Sequence, residues 1–265
     1  MATKPRRSSA FFMMVKFFFL LFSFISFVQY SLADTNSTLP FQVGERLEYD
    51  LSWGFFPVGS AIMQVESLTE VEGELCYLLK FSVRTNSFAD RFYKVRTSIE
   101  STVSSDFSRS IIYRKSQEEG STKRKIVVRY DYEQKKAVYS EGGKVQSTVA
   151  IPNQVLDPLS IAYFFRTDEI QSGQQKTLPT CDGKRFREII VRAGKKEKIS
   201  VPAGKFYAIE TRPEMQNLRG VFKKSPDGIL RVWYSADSQR IPVKISSKVI
   251  VGSFNANLRK TSGLK

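Results

Sequence analysis

Apolar and polar residues alternate with a period of two along most of the chain, and this alternation constrains the fold more than any other feature. Residues 47–53, 75–83 and 126–131 each place apolar side chains at every second position. Because successive side chains of a strand point to opposite faces, the pattern predicts antiparallel strands with one buried face. Abundant Phe and Tyr suit such pleated, half-buried surfaces.

Turn-forming dipeptides separate the strands. Glycine takes the positive φ that tight turns require, and it follows a polar or small residue in each signal. The signals are Glu72-Gly73, Glu119-Gly120, Glu141-Gly142-Gly143, Asp182-Gly183, Ala193-Gly194, Ala203-Gly204 and Asp227-Gly228. They predict a single antiparallel meander of roughly ten to thirteen strands, which must form a strongly curved sheet or an open barrel. The fold class is therefore mainly all-β.

One segment departs from the alternation. Asp157 is a favourable N-cap residue, and Pro158 suits the first helical position. The apolar residues that follow recur at helical spacing. The segment predicts one short helix, from about Pro158 to Thr167, packed on the sheet with its aromatic side chains in the core.

The first 33 residues have the features of a secretory signal peptide. A basic segment at residues 1–16 precedes the apolar run Phe17–Val28, and Ser31-Leu32-Ala33 supplies small residues at the −3 and −1 positions. The alternative is a retained membrane anchor, but this apolar run is well short of the ~20 residues that span a bilayer. We expect cleavage after Ala33 and a mature periplasmic protein.

The remaining chain is expected to form one domain. Residues 34–40 form a flexible N-terminus, residues 41–258 a single β-rich domain, and residues 259–265 a C-terminal tail. An internal repeat or a low-complexity linker would divide the chain, and the sequence contains neither.

Five stretches carry a family resemblance through their order and spacing. They are Pro40 to Gly59, Asp157 to Arg166, Val201 to Phe206, Gly220 to Lys224 and Val232 to Leu258. On these residues the chain resembles the exported bacterial family called domain of unknown function 3108, from about Phe41 to Leu258. The resemblance implies an exported, mostly β protein of Gram-negative bacteria. That family has no established reaction, so the resemblance assigns no functional residue.

Residue composition excludes several catalytic and metal sites. Without histidine the chain cannot form Ser-His-Asp or Cys-His nucleophile pairs, and two cysteines cannot form a Cys-rich zinc site. No metal or cofactor is expected, and a non-enzyme is favoured. Hydrolysis by paired carboxylates remains a minor alternative. The acids that the sequence offers for it, without pairing them, are Glu48, Asp50, Glu100, Asp157, Glu210 and Asp237.

The two cysteines, Cys76 and Cys181, would lie in an oxidising compartment after export. A disulfide between them is permitted there and would close a long loop. Two separate thiols are the alternative, because Cys76 lies on the strand face opposite its apolar neighbours.

Two sets of residues are candidate ligand contacts. Tyr49, Trp53 and Trp233 could line a groove, because aromatic side chains offer apolar area with a polar handle. Basic side chains in a predicted loop could contact an anion, and the net charge of +15 is consistent with an anionic partner. These basic residues are Arg219, Lys223 and Lys224.

Two classes of function remain. The first is non-catalytic binding or carriage of a lipid- or glycan-type ligand. The second is a structural or adaptor role in envelope assembly, in which a sheet edge or face binds another protein. An apolar cavity would favour the first class, and a filled core with a flat exposed apolar patch would favour the second. The expected partners are anionic lipid, lipopolysaccharide, glycan or an envelope protein, and not nucleic acid.

Overall fold

A computed structural model of the chain describes residues 39–214, 229–249 and 252–265. The predicted signal peptide lies outside these residues, and so do the predicted anion contacts Arg219, Lys223 and Lys224. Within the described ranges, no helix has both the length and the apolar character needed to cross a bilayer.

The described residues contain fourteen strands in one antiparallel sheet. The strands of the first half are β1 (Arg46–Trp53), β2 (Phe56–Val71), β3 (Glu74–Thr85), β4 (Val95–Ser104), β5 (Ser110–Glu119), β6 (Thr122–Asp131), β7 (Lys136–Glu141) and β8 (Lys144–Ala150). Those of the second half are β9 (Gln175–Cys181), β10 (Phe186–Val201), β11 (Gly204–Pro213), β12 (Ile229–Ser235), β13 (Pro242–Val249) and β14 (Gly252–Ser262).

The first and last strands meet in the middle of the sheet. The spatial order runs from β8 down to β1, then from β14 down to β9. Strand β1 pairs with β14 from Arg46↔Ser262 to Trp53↔Phe254, and every other pairing joins strands adjacent in sequence. The predicted antiparallel meander is confirmed, and it is open, with β8 and β9 as its edges.

The sheet curves strongly enough to bring distant strands together. The hydroxyl of Tyr130 in β6 donates to the carbonyl of Cys181 in β9, at 2.7 Å. A Cβ atom added to Gly183, in the turn after β9, would lie only 2.6 Å from a methyl of Val128 in β6. Strands near opposite ends of the order therefore pack against each other, as the twist of a wide sheet requires.

The predicted number of strands was too low, and one predicted turn was wrong. The predicted turn at Asp227-Gly228 lies outside the described residues. Ala193-Gly194 lies inside β10, where the register against β11 shifts between Ala193 and Lys196. Gly194 marks a bulge there, beside the backbone of Glu210. Conversely, the turn between β6 and β7 contains no glycine, and Lys135 supplies its positive φ of 50°. Glycine signals therefore miss this hairpin.

Within the described residues, two short helices interrupt the strands, α1 (Ser87–Asp90) and α2 (Ser160–Phe164). Helix α2 confirms the predicted helical segment but is shorter than Pro158 to Thr167, because turns occupy both flanks. Helix α1 was not predicted. Asn86 caps it by accepting a hydrogen bond from the Ala89 amide at 2.9 Å.

Both cysteines are buried free thiols. Cys76 packs with Ile111 and Ile112 in a small cluster of its own, whereas Cys181 belongs to the main core. Of the two alternatives that the sequence left open, the structure therefore contains the separate thiols and not the disulfide. Burial raises the pKa of each thiol to about 11, which keeps both protonated at neutral pH.

Candidate functional site

A buried ion pair holds the end of helix α2 in place. The guanidinium of Arg166 donates to both carboxylate oxygens of Glu45, at 2.6 and 2.8 Å, and both side chains are fully buried. Arg166 also donates to the Gln239 carbonyl at 3.0 Å, and its guanidinium lies 5.0 Å from the centre of the Phe41 ring. This bidentate geometry offsets the cost of removing both charges from water.

A second buried network holds the start of α2. One carboxylate oxygen of Asp157 accepts hydrogen bonds from the amides of Leu159 and Ser160, in the turn that leads into the helix. The N-cap of α2 itself is Leu159 and not Asp157 as predicted, because the helix begins only at Ser160. The other oxygen accepts from the hydroxyls of Ser101, at 2.5 Å, and Ser110, at 2.6 Å. Burial raises the pKa of Asp157, and these hydroxyl bonds only partly oppose the rise.

The chain just before α2 bridges the open side of the sheet. The Leu156 amide donates to the Pro179 carbonyl at 2.9 Å, and the Cys181 amide donates to the Leu156 carbonyl at 3.0 Å. On the other side, the Ser110 amide donates to the Val155 carbonyl at 2.9 Å. The bridging segment thus ties β9 to β5 and fixes where α2 begins.

An apolar cavity of about 360 Å³ lies between α2 and one face of strands β9 to β13. Its volume is in the range of small-molecule sites. Most lining side chains are aliphatic or aromatic. The lining consists of Pro158, Ile161, Ala162, Phe165, Leu178, Thr180, Asp182, Arg185, Arg187, Ile189, Val191, Thr211, Pro213, Leu230, Val232, Tyr234 and Ile245.

The cavity exists because α2 is too short to cover the sheet face beneath it. Five residues of helix are about 7.5 Å long. Five adjacent strands extend over about 19 Å. The helix is nevertheless fixed to this face, since the rings of Phe165 and Tyr234 lie 5.2 Å apart and the Tyr234 hydroxyl donates to the Ala162 carbonyl at 3.3 Å. The uncovered apolar area remains as the cavity.

Two arginines bring positive charge to the cavity. Arg187 lies on the same face of β10 as Ile189 and Val191, and Arg185 lies in the turn before that strand. Asp182 shapes the turn by accepting from the amides of Lys184 and Arg185, both at 2.9 Å. Within the described residues, neither Arg185 nor Arg187 forms an ion pair with a carboxylate.

The predicted groove residues lie elsewhere. Tyr49 is buried in the main core, where its hydroxyl donates to the Pro242 carbonyl at 2.8 Å. The indole nitrogen of Trp233 donates to Glu197 at 2.5 Å, and Trp53 is half-exposed. None of the three lines the cavity. As ligand contacts they remain a prediction, separate from this site.

Each of the acids considered for hydrolysis has a local partner, and Glu48 and Asp50 share Arg259. Glu48 pairs with Arg46 and Arg259, and Glu210 pairs with Arg212 and Arg231. The arginine hydrogen bonds lower the pKa of Glu48. The partners of the others are Arg259 for Asp50, Lys80 for Glu100, the serines above for Asp157 and Ser235 for Asp237.

The cavity arginines were absent from the sequence-based candidates, although a signal for them was present. Residues 185–191, RFREIIV, alternate so that Arg185 and Arg187 fall in line with two apolar residues, Ile189 and Val191. An apolar strand face that ends in cations is typical of an amphipathic contact surface. The position of α2 over this face could not be read from the alternation.

Comparisons with known sequences identify one family. A family model described as a protein of unknown function (DUF3108) matches residues 48–259. A search among curated proteins finds no significant match.

Solved structures provide a likeness in fold. A β-barrel-like protein of domain of unknown function DUF1849 from Brucella abortus aligns with a TM-score of 0.54 and 13% identity, over 85% of this chain and 99% of that chain. A protein of YmcC-like fold from Bacteroides fragilis, inferred to be exported, aligns with a TM-score of 0.37 and 11% identity, over 84% and 98%. An inferred lipoprotein from Parabacteroides distasonis aligns with a TM-score of 0.34 and 12% identity, over 85% and 98%.

Proposed function

The chain belongs to the DUF3108 family, as its motifs predicted, and we propose that it is a non-catalytic protein that binds an anionic amphiphile in the cavity beneath α2. One observation carries the proposal: the lining of an apolar cavity of about 360 Å³ includes two arginines, Arg185 and Arg187. The apolar lining suits an acyl chain, and the guanidinium groups suit a carboxylate or phosphate headgroup.

The lining favours a lipid-type ligand over a glycan. Sugar hydroxyls need several hydrogen-bond partners, and burying them without partners is costly. Apart from the charged groups at Asp182, Arg185 and Arg187, the side chains of Thr180, Thr211 and Tyr234 supply the polar atoms of the lining. The volume equals roughly a dozen water-sized groups, enough for one acyl chain.

The proposed site of action is the periplasm. This location rests on the basic n-region, the apolar run Phe17–Val28 and the small residues at Ser31-Leu32-Ala33, which together indicate an exported protein. In that compartment, the neighbouring membranes would supply amphiphiles to a protein with an apolar cavity.

An adaptor role is the second candidate, and strand β8 favours it. In the part of the chain that the structure describes, β8 pairs with β7 alone and forms one edge of the sheet. Val145 on this strand is largely exposed. An unpaired edge can accept an added strand from a partner protein. This role would be preferred if the cavity bound no amphiphile.

Replacing both cavity arginines with glutamine should weaken the binding of decanoate about tenfold. Hydrogen bonds to a charged group contribute about 1.5–3 kcal/mol, and solvent exposure at Arg185 places the effect at the lower end. Binding of decanol, which has the same chain without the charge, should be unchanged. Displacement of a fluorescent fatty-acyl probe measures both affinities.

Arg129→Gln is the matched control, because Arg129 is exposed on β6 and does not line the cavity. It should leave both affinities unchanged. Equal weakening of decanoate and decanol by Arg185→Gln and Arg187→Gln would contradict a headgroup role for these arginines. If Arg129→Gln weakened decanoate binding equally, the effect of Arg185 and Arg187 would come only from the overall charge of the protein.

A further inference from the structure

Six exposed aromatic side chains, none of which lines the cavity, project from one end of the sheet. Phe55 in the β1–β2 turn is 100% exposed and Phe92 after α1 is 77% exposed, although large apolar groups are usually covered. We call this set the aromatic patch. Its members are Trp53, Phe55, Phe56, Phe88, Phe92 and Phe254.

The aromatic patch is held together by short local contacts. The rings of Trp53 and Phe254 stack at 6.1 Å across the β1–β14 pair, and those of Phe88 and Phe92 meet edge to face at 5.6 Å. Asn86 joins the two halves, because its side-chain amide donates to the Pro57 carbonyl, beside Phe56, at 2.8 Å. The tip of the β1–β2 hairpin and helix α1 thus form one surface.

The segments that bear the patch are basic. Residues 53–60 and 82–96 contain four cations, Arg84, Arg91, Lys94 and Arg96, and one carboxylate, Asp90. Asp90 is neutralised by Arg96 at 2.6 Å, and Lys94 pairs with Glu118 of β5 at 3.2 Å. Among the described residues, neither Arg84 nor Arg91 forms an ion pair, and both are exposed. The patch therefore combines aromatic rings with uncompensated positive charge.

We propose that the aromatic patch docks the protein onto the surface of an anionic lipid bilayer. Aromatic side chains are favoured at the level of the headgroups, where apolar area and polar surroundings meet. Basic residues beside them are attracted to the negative surface potential of anionic lipids. Rings on a hairpin tip and a short helix can enter this layer without any rearrangement of the sheet.

This inference deepens the proposed function, because a bilayer surface is a source of amphiphiles for the cavity. It depends on different residues, so the two can fail separately. An Ala162→Phe variant, which fills the cavity, should bind vesicles as the wild type does.

The test is co-sedimentation of the mature protein with vesicles of phosphatidylcholine and phosphatidylglycerol. We expect the double variant Phe55→Ser and Phe92→Ser to lower the partition coefficient at least about tenfold, because each substitution removes a ring that would bury apolar surface in the bilayer. Arg84→Gln with Arg91→Gln should weaken binding to these vesicles and leave binding to pure phosphatidylcholine unchanged. Both pairs of side chains are exposed, so folding should be retained.

Tyr207→Ser is the matched control, because Tyr207 is an exposed aromatic residue on β11 outside the patch. It should bind vesicles as the wild type does. Wild-type partitioning of the Phe55→Ser, Phe92→Ser variant would overturn the proposal. A concentration-dependent dimer that this variant abolishes, without any vesicle binding by the wild type, would assign the patch to a second copy of the chain and equally overturn it.

Discussion

Replacing Arg166 with methionine should lower the free energy of unfolding by about 3–5 kcal/mol. The substitution leaves the carboxylate of Glu45 fully buried without its bidentate partner, and it also removes the donor to the Gln239 carbonyl. A change of this size is a large part of the total stability of a typical domain. Chemical denaturation followed by tryptophan fluorescence measures it through the unfolding midpoint.

The control is a second arginine–carboxylate pair that lies at the surface. Arg192 contacts Glu214 at 2.8 Å, but its side chain is 61% exposed. Arg192→Met should therefore cost no more than about 1 kcal/mol. The double variant Glu45→Met and Arg166→Met should recover part of the loss, because no unpaired charge remains buried. Equal small losses for Arg166→Met and Arg192→Met would contradict the role given to the buried pair.

Filling the cavity with Ala162→Phe should weaken decanoate binding at least about 50-fold. Each buried methylene contributes about 0.8 kcal/mol, and a phenyl ring would exclude roughly three of them. The cavity offers the ring space, so the fold should be retained, with a cost below the ~1–3 kcal/mol of overpacking a filled core. Calorimetric titration measures the affinity, and thermal unfolding checks the fold.

Ala150→Phe adds the same ring on the exposed edge strand β8 and serves as the matched control. It should bind decanoate as the wild type does. Undiminished binding by a folded Ala162→Phe variant would place the ligand outside the cavity. In that case the predicted groove residues Tyr49, Trp53 and Trp233 become the next positions to test.

The sequence predicted the fold class well because period-two alternation and glycine turns are local signals. They gave the antiparallel meander and the helical segment at α2, although the helix begins later than predicted and its N-cap is Leu159, not Asp157. The pairing of β1 with β14 could not be predicted, because nothing local distinguishes the first strand as the partner of the last. The bulge at Gly194 was mistaken for a turn, since a bulge and a turn both use glycine.

The candidate site was harder to predict because it depends on contacts between distant segments. Glu45 and Arg166 are 121 residues apart, and the sequence offered no reason to pair them. Both lie in stretches that carry the family resemblance. In the structure, their ion pair fixes the end of α2. Tyr49, Trp53 and Trp233 were predicted to line a groove from their side-chain chemistry alone. The cavity instead exists because α2 is too short to cover the five strands beneath it.

The most direct measurement is a methyl NMR titration of the mature protein with decanoate. Binding in the cavity should produce saturable shifts at Leu178, Ile189 and Val232, which line it, and smaller changes at Leu47 and Val65 in the main core. Ala162→Phe should abolish the shifts at the cavity methyl groups. The absence of saturable shifts at these methyl groups, or shifts confined to residues around the aromatic patch, would contradict the proposed binding site.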